Sequence, residues 1–332
     1  MSNIEWTGKT VNPLIGCTKK SAGCEHCYAI KEAWIHSHHP NETFRKRYDG
    51  TVHETAGGKL NWTGKINYDI DIFARVLKNK KPTMYFPNSM SDIFHESLSI
   101  DIIAEIYAIM FLAHWHTFQV LTKRADKMHA VLTSEEFKLK LWAACNRMHH
   151  LYIKPLEQPL YFDVEVFQEL PLKNVWQIVS VEDQKTLDER LPHLLKTPAA
   201  VRGLSCEPLL GSITFRPKAD TMEQMMQLMD EGVASKPIML SGIDWVICGG
   251  ESGSNSTPMH PDWARYLRDQ CNTMGVAFFF KQWGEYWPGE QGRIYRAKTI
   301  DFTDGQPMVR TGKKKAGRVL DGRLWDEMPK AL

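Results

Sequence analysis

Six short apolar runs, each followed at once by polar residues, constrain the fold of this chain more than any other feature. The runs are mostly apolar rather than alternating, as expected for parallel strands covered on both faces. Segments with helical apolar spacing separate them, and Pro261 suits the first turn of one such helix. The predicted strands are residues 83–86, 117–121, 175–179, 200–204, 244–248 and 276–280, and the predicted helices are residues 98–114, 124–132, 186–195, 221–229 and 261–274.

Strand, polar end, helix and strand in succession are typical of βα units. With a further strand near residues 11–16, the pattern predicts an α/β fold, a full or partial (β/α) barrel. We expect this domain to span residues 1–284, with an elaborated connection at about 36–82, and residues 285–332 to form a C-terminal extension. Loops at the carboxyl ends of barrel strands build the active site, so the polar strand ends should share one mouth.

Three cysteines near the N-terminus, Cys17, Cys24 and Cys27, are spaced C-x(6)-C-x(2)-C between turn-forming residues. Three interpretations compete. The thiols are unrelated; or they hold structural zinc with one of His26, His36, His38 and His39; or they ligate a [4Fe–4S] cluster with one iron left open. No second C-x-x-C pair completes a zinc finger or ribbon, so we favour the cluster.

Composition narrows the class of protein. Hydrophobic residues make up 43% and charged residues 24%, as in ordinary globular proteins. No apolar run reaches bilayer length and the N-terminus lacks signal-peptide order, so we expect a cytoplasmic protein, in the host cytoplasm if phage-encoded, that does not bind membranes. In cytoplasmic proteins, cysteines are more often metal-binding or catalytic than disulfide-bonded. A net charge of +2 gives no global attraction to nucleic acid, although residues 45–47 and 313–315 are basic runs.

A second set of motifs extends over most of the chain, apart from about 136–170. With the cysteine loop and the barrel-like rhythm, these motifs resemble radical SAM enzymes. More closely, they resemble a family of phage and bacterial radical-SAM-like proteins with a three-cysteine motif, usually labelled uncharacterised phage protein. The matching segments are Trp6–Thr7, Asn12–Pro13, Gly16–Thr18, Gly23–Cys24, Cys27–Ala29, Met90–His95, Leu121–Arg124, Ser180–Gln184, Ser205–Leu210, Trp245–Gly253, Phe279–Gly284 and Gly317–Gly322.

The resemblance implies that Cys17, Cys24 and Cys27 ligate three irons, and that the fourth iron holds S-adenosyl-L-methionine. Cleavage of that cofactor would supply a radical that abstracts a substrate hydrogen. The resemblance also implies an electron donor such as flavodoxin or ferredoxin. A phage setting favours a modified nucleobase as substrate, such as hypermodified thymidine in viral DNA, with rearrangement as the reaction. A peptide or a small metabolite is the alternative substrate, and a non-catalytic zinc protein that binds nucleic acid is the rival class.

Two departures from the common radical SAM pattern affect the expected site. The first cysteine gap is six residues rather than three, and Gly249-Gly250-Glu251 ends a late strand instead of the second one. We therefore expect Gly249, Gly250 and Glu251 to bind another part of the cofactor or the substrate, with a simple tight turn as the alternative. The amino-end role would pass to Asn88, Ser89 and Asp92, which follow the second strand.

The other polar strand ends receive roles by position and chemistry. Ser180 and Glu182 could hydrogen-bond the cofactor ribose, and Lys123, Arg124 and Lys281 could bind an anion. Structural ion pairs are the alternative for each charged group. The candidate catalytic residues are Lys123, Lys281 and Glu207. We expect the remaining thiols Cys206, Cys248 and Cys271 to be small buried hydrophobes, with a radical relay through Cys206 or Cys248 as a weaker alternative.

Overall fold

The structure, a computed structural model, describes residues 4–154, 170–215, 240–289 and 298–330. The helix predicted at residues 221–229 lies outside these ranges. Two compact units divide the chain, one formed by residues up to 179 with 190–201, the other by residues 180–189 with 202 onward. This division falls elsewhere than the predicted boundary at residue 284, which stays a prediction.

Strands and short helices alternate along the described chain. The strands are β1 (Lys9–Thr10), β2 (Leu14–Ile15), β3 (Val52–Glu54), β4 (Leu60–Trp62), β5 (Asn67–Tyr68), β6 (Met84–Phe86), β7 (Thr117–Thr122), β8 (Val175–Ser180), β9 (Val201–Cys206), β10 (Trp245–Gly249), β11 (Ala277–Gln282), β12 (Tyr286–Pro288), β13 (Thr299–Asp301) and β14 (Pro307–Arg310). The α-helices are α1 (Tyr28–Ser37), α2 (Glu42–Lys46), α3 (Ile70–Ala74), α4 (Ile100–Leu112), α5 (Ala125–Leu132), α6 (Glu135–Tyr152), α7 (Gln184–Lys196), α8 (Pro261–Met274) and α9 (Lys313–Ala316).

A seven-stranded parallel sheet carries the fold, with β1, β6, β7 and β8 in the first unit and β9, β10 and β11 in the second. In the first unit Lys9 lies opposite Tyr85, and Phe118 lies opposite Val175. In the second unit β10 pairs in parallel with both β9 and β11. Every residue of β8 and β10 is buried, which explains why these strands are mostly apolar on both faces. The predicted α/β fold of the partial (β/α) barrel type is confirmed.

The helix pair α4 and α6 covers the sheet of the first unit. Ser99 caps α4 and Ser134 caps α6, each by accepting a backbone N–H of the first turn. Tyr107 of α4 meets Phe137 of α6 edge-to-face at 5.5 Å, and the Tyr107 hydroxyl hydrogen-bonds the Gln177 side chain of β8. This contact fixes both helices on one strand. No helix within the described ranges combines the length and the apolar run that a membrane crossing requires.

The prediction of one strand of the large sheet near residues 11–16 was wrong. The sheet strand β1 ends at Thr10, and Leu14–Ile15 instead pairs antiparallel with β5. Pro13 has no N–H and cannot continue a hydrogen-bonded ladder, so the chain leaves the sheet there. The predicted connection at 36–82 holds α2, the β3–β4 pair, β5 and α3.

The C-terminal region has more order than its sequence indicated. Strands β12, β14 and β13 form a small antiparallel sheet, in that order, and α9 follows it. Their runs are only three or four residues long, too short for a clear periodicity. The 18-residue helix α6 was also missed, because Leu139 and other exposed apolar residues blur its buried stripe.

Replacing Phe137 by alanine tests the α4–α6 contact. Phe137 is fully buried, so Phe137→Ala should lower the free energy of unfolding by about 3–5 kcal/mol, measured by chemical denaturation. Leu139→Ala on the same helix is the matched control. Its side chain is 71% exposed, so the expected change is within about 0.5 kcal/mol. Equal losses in both variants would contradict this packing.

Candidate functional site

The cysteine loop runs from β2 to α1 and is anchored at its start by Gly16. Gly16 has a φ of +115°, and a Cβ there would lie 2.1 Å from the Lys65 carbonyl oxygen, so only glycine fits. Its N–H donates to the Met90 carbonyl at 3.1 Å. The loop therefore begins against the segment that follows β6.

Contacts between Asn12, Tyr28 and Ser89 hold both ends of the loop on that same segment. The Asn12 amide donates to the Ser89 hydroxyl at 3.0 Å, and the Tyr28 hydroxyl donates to the Ser89 carbonyl at 2.8 Å. The three cysteines between these anchors are half-buried and free. Cys27 directly precedes α1, whose first N–H groups favour a negative sulfur.

The three sulfurs lie close enough to influence one another's charge. Burial, the nearby Asp92 and, to a smaller extent, Cys27 and Cys24 raise the pKa of Cys17 to about 12, although Arg124 opposes the shift. Burial likewise raises the pKa of Cys27, with Cys24 contributing. Mutual repulsion of this kind indicates a cluster of thiols that ionise readily only beside cations or a metal.

Cys24 is the exception, because a cation lies next to it. Burial opposes its ionisation, but Lys123 and hydrogen bonds from the Lys20 and Ser21 backbone hold its pKa below the usual value. The Lys20 N–H donates to the Cys24 sulfur at 3.4 Å. Burial in turn lowers the pKa of Lys123 to about 8, although the Cys24 thiolate favours its charged form. Lys123 was predicted to bind an anion, and the anionic group that it would stabilise here is the Cys24 sulfur.

Arg124 joins the cysteine loop to the ends of β6 and β7, and its side chain is only 2% exposed. It donates through Nε to Glu96 at 2.7 Å and through Nη1 to Asp92 at 3.0 Å. The same Nη1 lies 3.8 Å from the Cys17 sulfur, and Nη2 donates to the Thr18 hydroxyl at 2.7 Å. Burial works against its charge, but these carboxylates and Cys17 raise the pKa of Arg124 and keep it charged. The geometry gives Arg124 an ion-pair role beside the loop.

The three residues predicted for the amino-end role all have partners within the protein. Asp92 accepts from the Thr122 hydroxyl at 2.7 Å and the Lys123 N–H at 3.1 Å, besides Arg124. The Asn88 amide exchanges hydrogen bonds with the Leu121 backbone, which extends the β6–β7 pairing by one step. With Ser89 bound to Asn12, these side chains act as connectors between strand ends.

Two residues that sequence reasoning did not assign, Thr18 and His95, complete this network. His95 accepts the Ser97 N–H at Nδ1, so its Nε2–H is assigned as the donor to the Thr18 hydroxyl at 2.9 Å. Burial and the neighbouring Arg124 lower the pKa of His95, which favours this neutral tautomer. The motif Met90–His95 contained the signal, but nothing in it distinguished a buried histidine from a surface one.

The cysteine loop has the donor chemistry that a [4Fe–4S] cluster would need. Among the described residues, no three Cys, His, Asp or Glu side chains converge as ligands of one ion. Three thiols in one loop, two cations beside them and the N-terminus of α1 suit an anionic cluster. The residues that would hold it are Cys17, Cys24 and Cys27.

Histidines considered for zinc take part in aromatic packing. His36 packs edge-on against Phe44 at 5.1 Å, and His39 packs against the same ring at 4.8 Å. His38 lies tilted against Trp34 at 4.4 Å and hydrogen-bonds its carbonyl at the end of α1. The His26 side chain is exposed in the loop.

In the second unit, Gly249-Gly250-Glu251 follows β10 and lies against the turn after β11. A Cβ on Gly250 would lie 2.1 Å from the Trp283 carbonyl oxygen, and one on Gly249 would lie 2.5 Å from Glu207 Oε1. The Gly250 N–H donates to the Gln282 carbonyl at 2.9 Å. Close backbone approach therefore requires glycine at 250, whereas the contact at Gly249 is with the end of the Glu207 side chain. Glu251 is buried and accepts the Thr257 N–H at 2.7 Å.

The remaining predicted residues of the second unit gather around Glu207. Lys281 Nζ lies 3.2 Å from Glu207 Oε1 in a pair that is mostly shielded from solvent, and the Ser205 hydroxyl donates to the same carboxylate. The Ser180 hydroxyl donates to the Glu207 carbonyl at 3.2 Å. Glu182 is fully buried, and its backbone carbonyl accepts the Leu210 N–H. Lys281 and Glu207 thus form an ion pair at the strand ends.

The other thiols of the second unit are buried, as expected. Cys206 and Cys248 lie opposite each other on β9 and β10, and both are fully buried together with Cys271 of α8. Burial first, and their mutual proximity second, raise the pKa of Cys206 well above its usual value. Such thiols are inert, which favours a packing role over a relay.

Comparison with known proteins gives one family and a weak likeness to one enzyme. The family described as "Protein of unknown function (DUF5131)" matches residues 1–329. A cysteine-to-serine mutant of spore photoproduct lyase aligns at 13% identity and a TM-score of 0.38, over 92% of this chain and 69% of that one. The complex of that enzyme with dinucleoside spore photoproduct aligns at 11% identity and a TM-score of 0.33, over 91% and 68%. No curated protein matches. Likeness at this level says nothing about activity.

Replacing Gly250 by alanine tests the close backbone approach. The added methyl would clash with the Trp283 carbonyl, so Gly250→Ala should lower the free energy of unfolding by about 1–3 kcal/mol. Gly57→Ala is the matched control, since no atom lies within 4 Å of its added Cβ, and should change stability by less than about 0.5 kcal/mol. A Gly250→Ala protein as stable as the wild type would show that the turn tolerates a side chain.

Proposed function

We propose that this chain, which belongs to the DUF5131 family, is a radical SAM enzyme that acts on a nucleobase. Cys17, Cys24 and Cys27 would hold a [4Fe–4S] cluster and leave one iron for S-adenosyl-L-methionine. Bound together, these cofactors supply a radical that abstracts a hydrogen atom from the substrate. The chain's own residues hold, orient and shield that chemistry.

The observation that carries the proposal is the placing of Lys123 and Arg124 against the cysteine loop. Both follow β7 directly, and Arg124 lies 3.8 Å from the Cys17 sulfur while Lys123 lowers the pKa of Cys24. Three thiolates around one centre would repel one another, and Lys123 offsets part of that repulsion at Cys24. At Cys17, Arg124 lowers the pKa and Asp92 raises it.

The candidate residues of the second unit stay proposals that rest on their chemistry. Glu251, Ser180 and Glu182 are the candidate partners of amino and ribose groups, and Gly249 and Gly250 are buried beside Trp283 and Glu207. The Glu207–Lys281 pair offers an acid and a base at a shielded strand end. Asn88, Ser89 and Asp92 contribute by fixing the strand ends that carry the loop.

A nucleobase substrate is supported by the basic helix α9, which adjoins the turn after β11. The Trp283 N–H donates to the Gly317 carbonyl just after α9, and Lys314 and Lys315 of α9 are exposed. Exposed lysines beside a strand-end site are suited to the phosphates of a nucleic acid. We propose a modified nucleobase, such as hypermodified thymidine in phage DNA, and an isomerisation as the reaction. The electron that reduces the cluster would come from a flavodoxin or ferredoxin in the cytoplasm.

Anaerobic iron and sulfide analysis tests the cluster. The reconstituted protein should contain about four irons per chain with a broad visible absorption, and dithionite with S-adenosyl-L-methionine should release 5′-deoxyadenosine. Cys24→Ala removes the ligand with the lowered pKa and should abolish the absorption and the cleavage. Circular dichroism checks that the variant is folded.

The matched control is Cys145→Ala, which removes a fully buried thiol on α6. It should keep the iron content and the cleavage. About one zinc per chain, no visible band and no cofactor cleavage would overturn the enzyme proposal and favour the zinc protein. An intact cluster with cleavage but no action on nucleic acid would leave a peptide or metabolite as the substrate.

The substrate class is tested by salt-dependent DNA binding, measured by fluorescence anisotropy. Replacing both Lys314 and Lys315 by glutamine should reduce the slope of log affinity against log salt by about 0.9 per lost phosphate contact. The control replaces Lys138 and Lys140 of α6, which are paired with acidic neighbours, and should leave the slope unchanged. Equal slopes in all three proteins would contradict phosphate binding by α9.

A further inference from the structure

A cavity of about 1040 Å³ in the first unit lies away from the cysteine loop. Its walls come from segments that enter β6, β7 and β8, including Lys80, Trp115 and Asn174, whereas the cysteine loop packs on the segments that leave β6 and β7. The volume is at the upper end of the range for small-molecule pockets. No part of the proposed radical chemistry uses it.

Aromatic and apolar side chains form most of the wall. Phe111 and Trp115 come from the end of α4 and the turn after it, and Tyr152 and Ile153 come from the end of α6. The Trp115 indole N–H is taken by the Asn79 carbonyl at 2.8 Å, and the Tyr152 hydroxyl is taken by Asp71. Their rings therefore present apolar faces, which suit a planar hydrophobic body.

The charged side chains that line the cavity are basic. Lys78, Lys80, Lys173, His114 and His149 line it, and no aspartate or glutamate is among its described lining residues. Lys80 lies over the Trp115 ring at 4.7 Å and donates to a backbone carbonyl. Lys78 and Lys173 are exposed, and within the described ranges neither makes an ion pair. This charge outweighs the partial negative charge of the carbonyl ends of α4 and α6.

We propose that this cavity binds an aromatic organic anion, with its ring body against Trp115 and Phe111 and its charged group toward Lys78 and Lys173. The aromatic walls would favour a ligand with a flat apolar ring, and the exposed lysines would favour a ligand with a negative charge. The site is independent of the cysteine loop, and its test does not depend on the proposed activity.

Two fluorescent probes of the same shape test the proposal on the full-length protein. The aromatic sulfonate 1-anilinonaphthalene-8-sulfonate should bind saturably, one per chain, at least about tenfold more tightly than neutral N-phenyl-1-naphthylamine. Replacing Lys78 and Lys173 by alanine should weaken the sulfonate by about tenfold or more and change binding of the neutral probe by less than about twofold.

The control replaces Lys138 and Lys140 of α6 by alanine and should leave both affinities unchanged. Circular dichroism excludes partial unfolding as the source of sulfonate binding. Equal affinities for the two probes, non-saturable binding, or the same loss in the control variant would each overturn the proposal.

Discussion

The buried guanidinium of Arg124 is the interaction on which the candidate site depends. A charge held out of water is stable only when its partners compensate, and removing one partner of such a pair usually costs 3–5 kcal/mol. Arg124 meets that requirement with Asp92, Glu96 and the Thr18 hydroxyl, while also approaching the Cys17 sulfur. The end of β7, the segment after β6 and the cysteine loop therefore form one network, in which a change at any member is felt by the others.

The connectors around Arg124 explain why polar residues follow the strands so regularly in the first unit. Asn88 continues the strand pairing through its amide, and Asp92 accepts hydrogen bonds from Thr122, Lys123 and Arg124. Carboxylates and amides at these positions satisfy backbone N–H groups that the sheet leaves unpaired where its strands end. Polarity at a strand end is therefore weaker evidence for ligand binding than its position alone indicates.

The strands and long helices were predictable because burial leaves a direct mark on sequence. Residues 175–179 and 245–248 are mostly apolar on both faces, and both lie within fully buried strands. Helix α8 was predicted with its observed bounds, because Pro261 opens it and Gly275 ends it in the left-handed conformation. The turn at Pro13 and the short antiparallel strands were missed, since their pairing is set by distant segments and not by local periodicity.

The type of chemistry at the candidate site was predictable from the sequence, but the side chains that contact the cysteine loop were not. The spacing of Cys17, Cys24 and Cys27 identified the loop, yet nothing local to it revealed the buried Arg124 and the neutral His95 that support it. Those partners come from residues about 80 to 110 positions away, and they bind protein groups rather than a metal. Gly16, Asn12 and Tyr28 anchor the loop in the same way. A loop whose position is fixed by protein contacts is preorganised, so its ligands would bind a cluster without the coupled folding of small zinc domains.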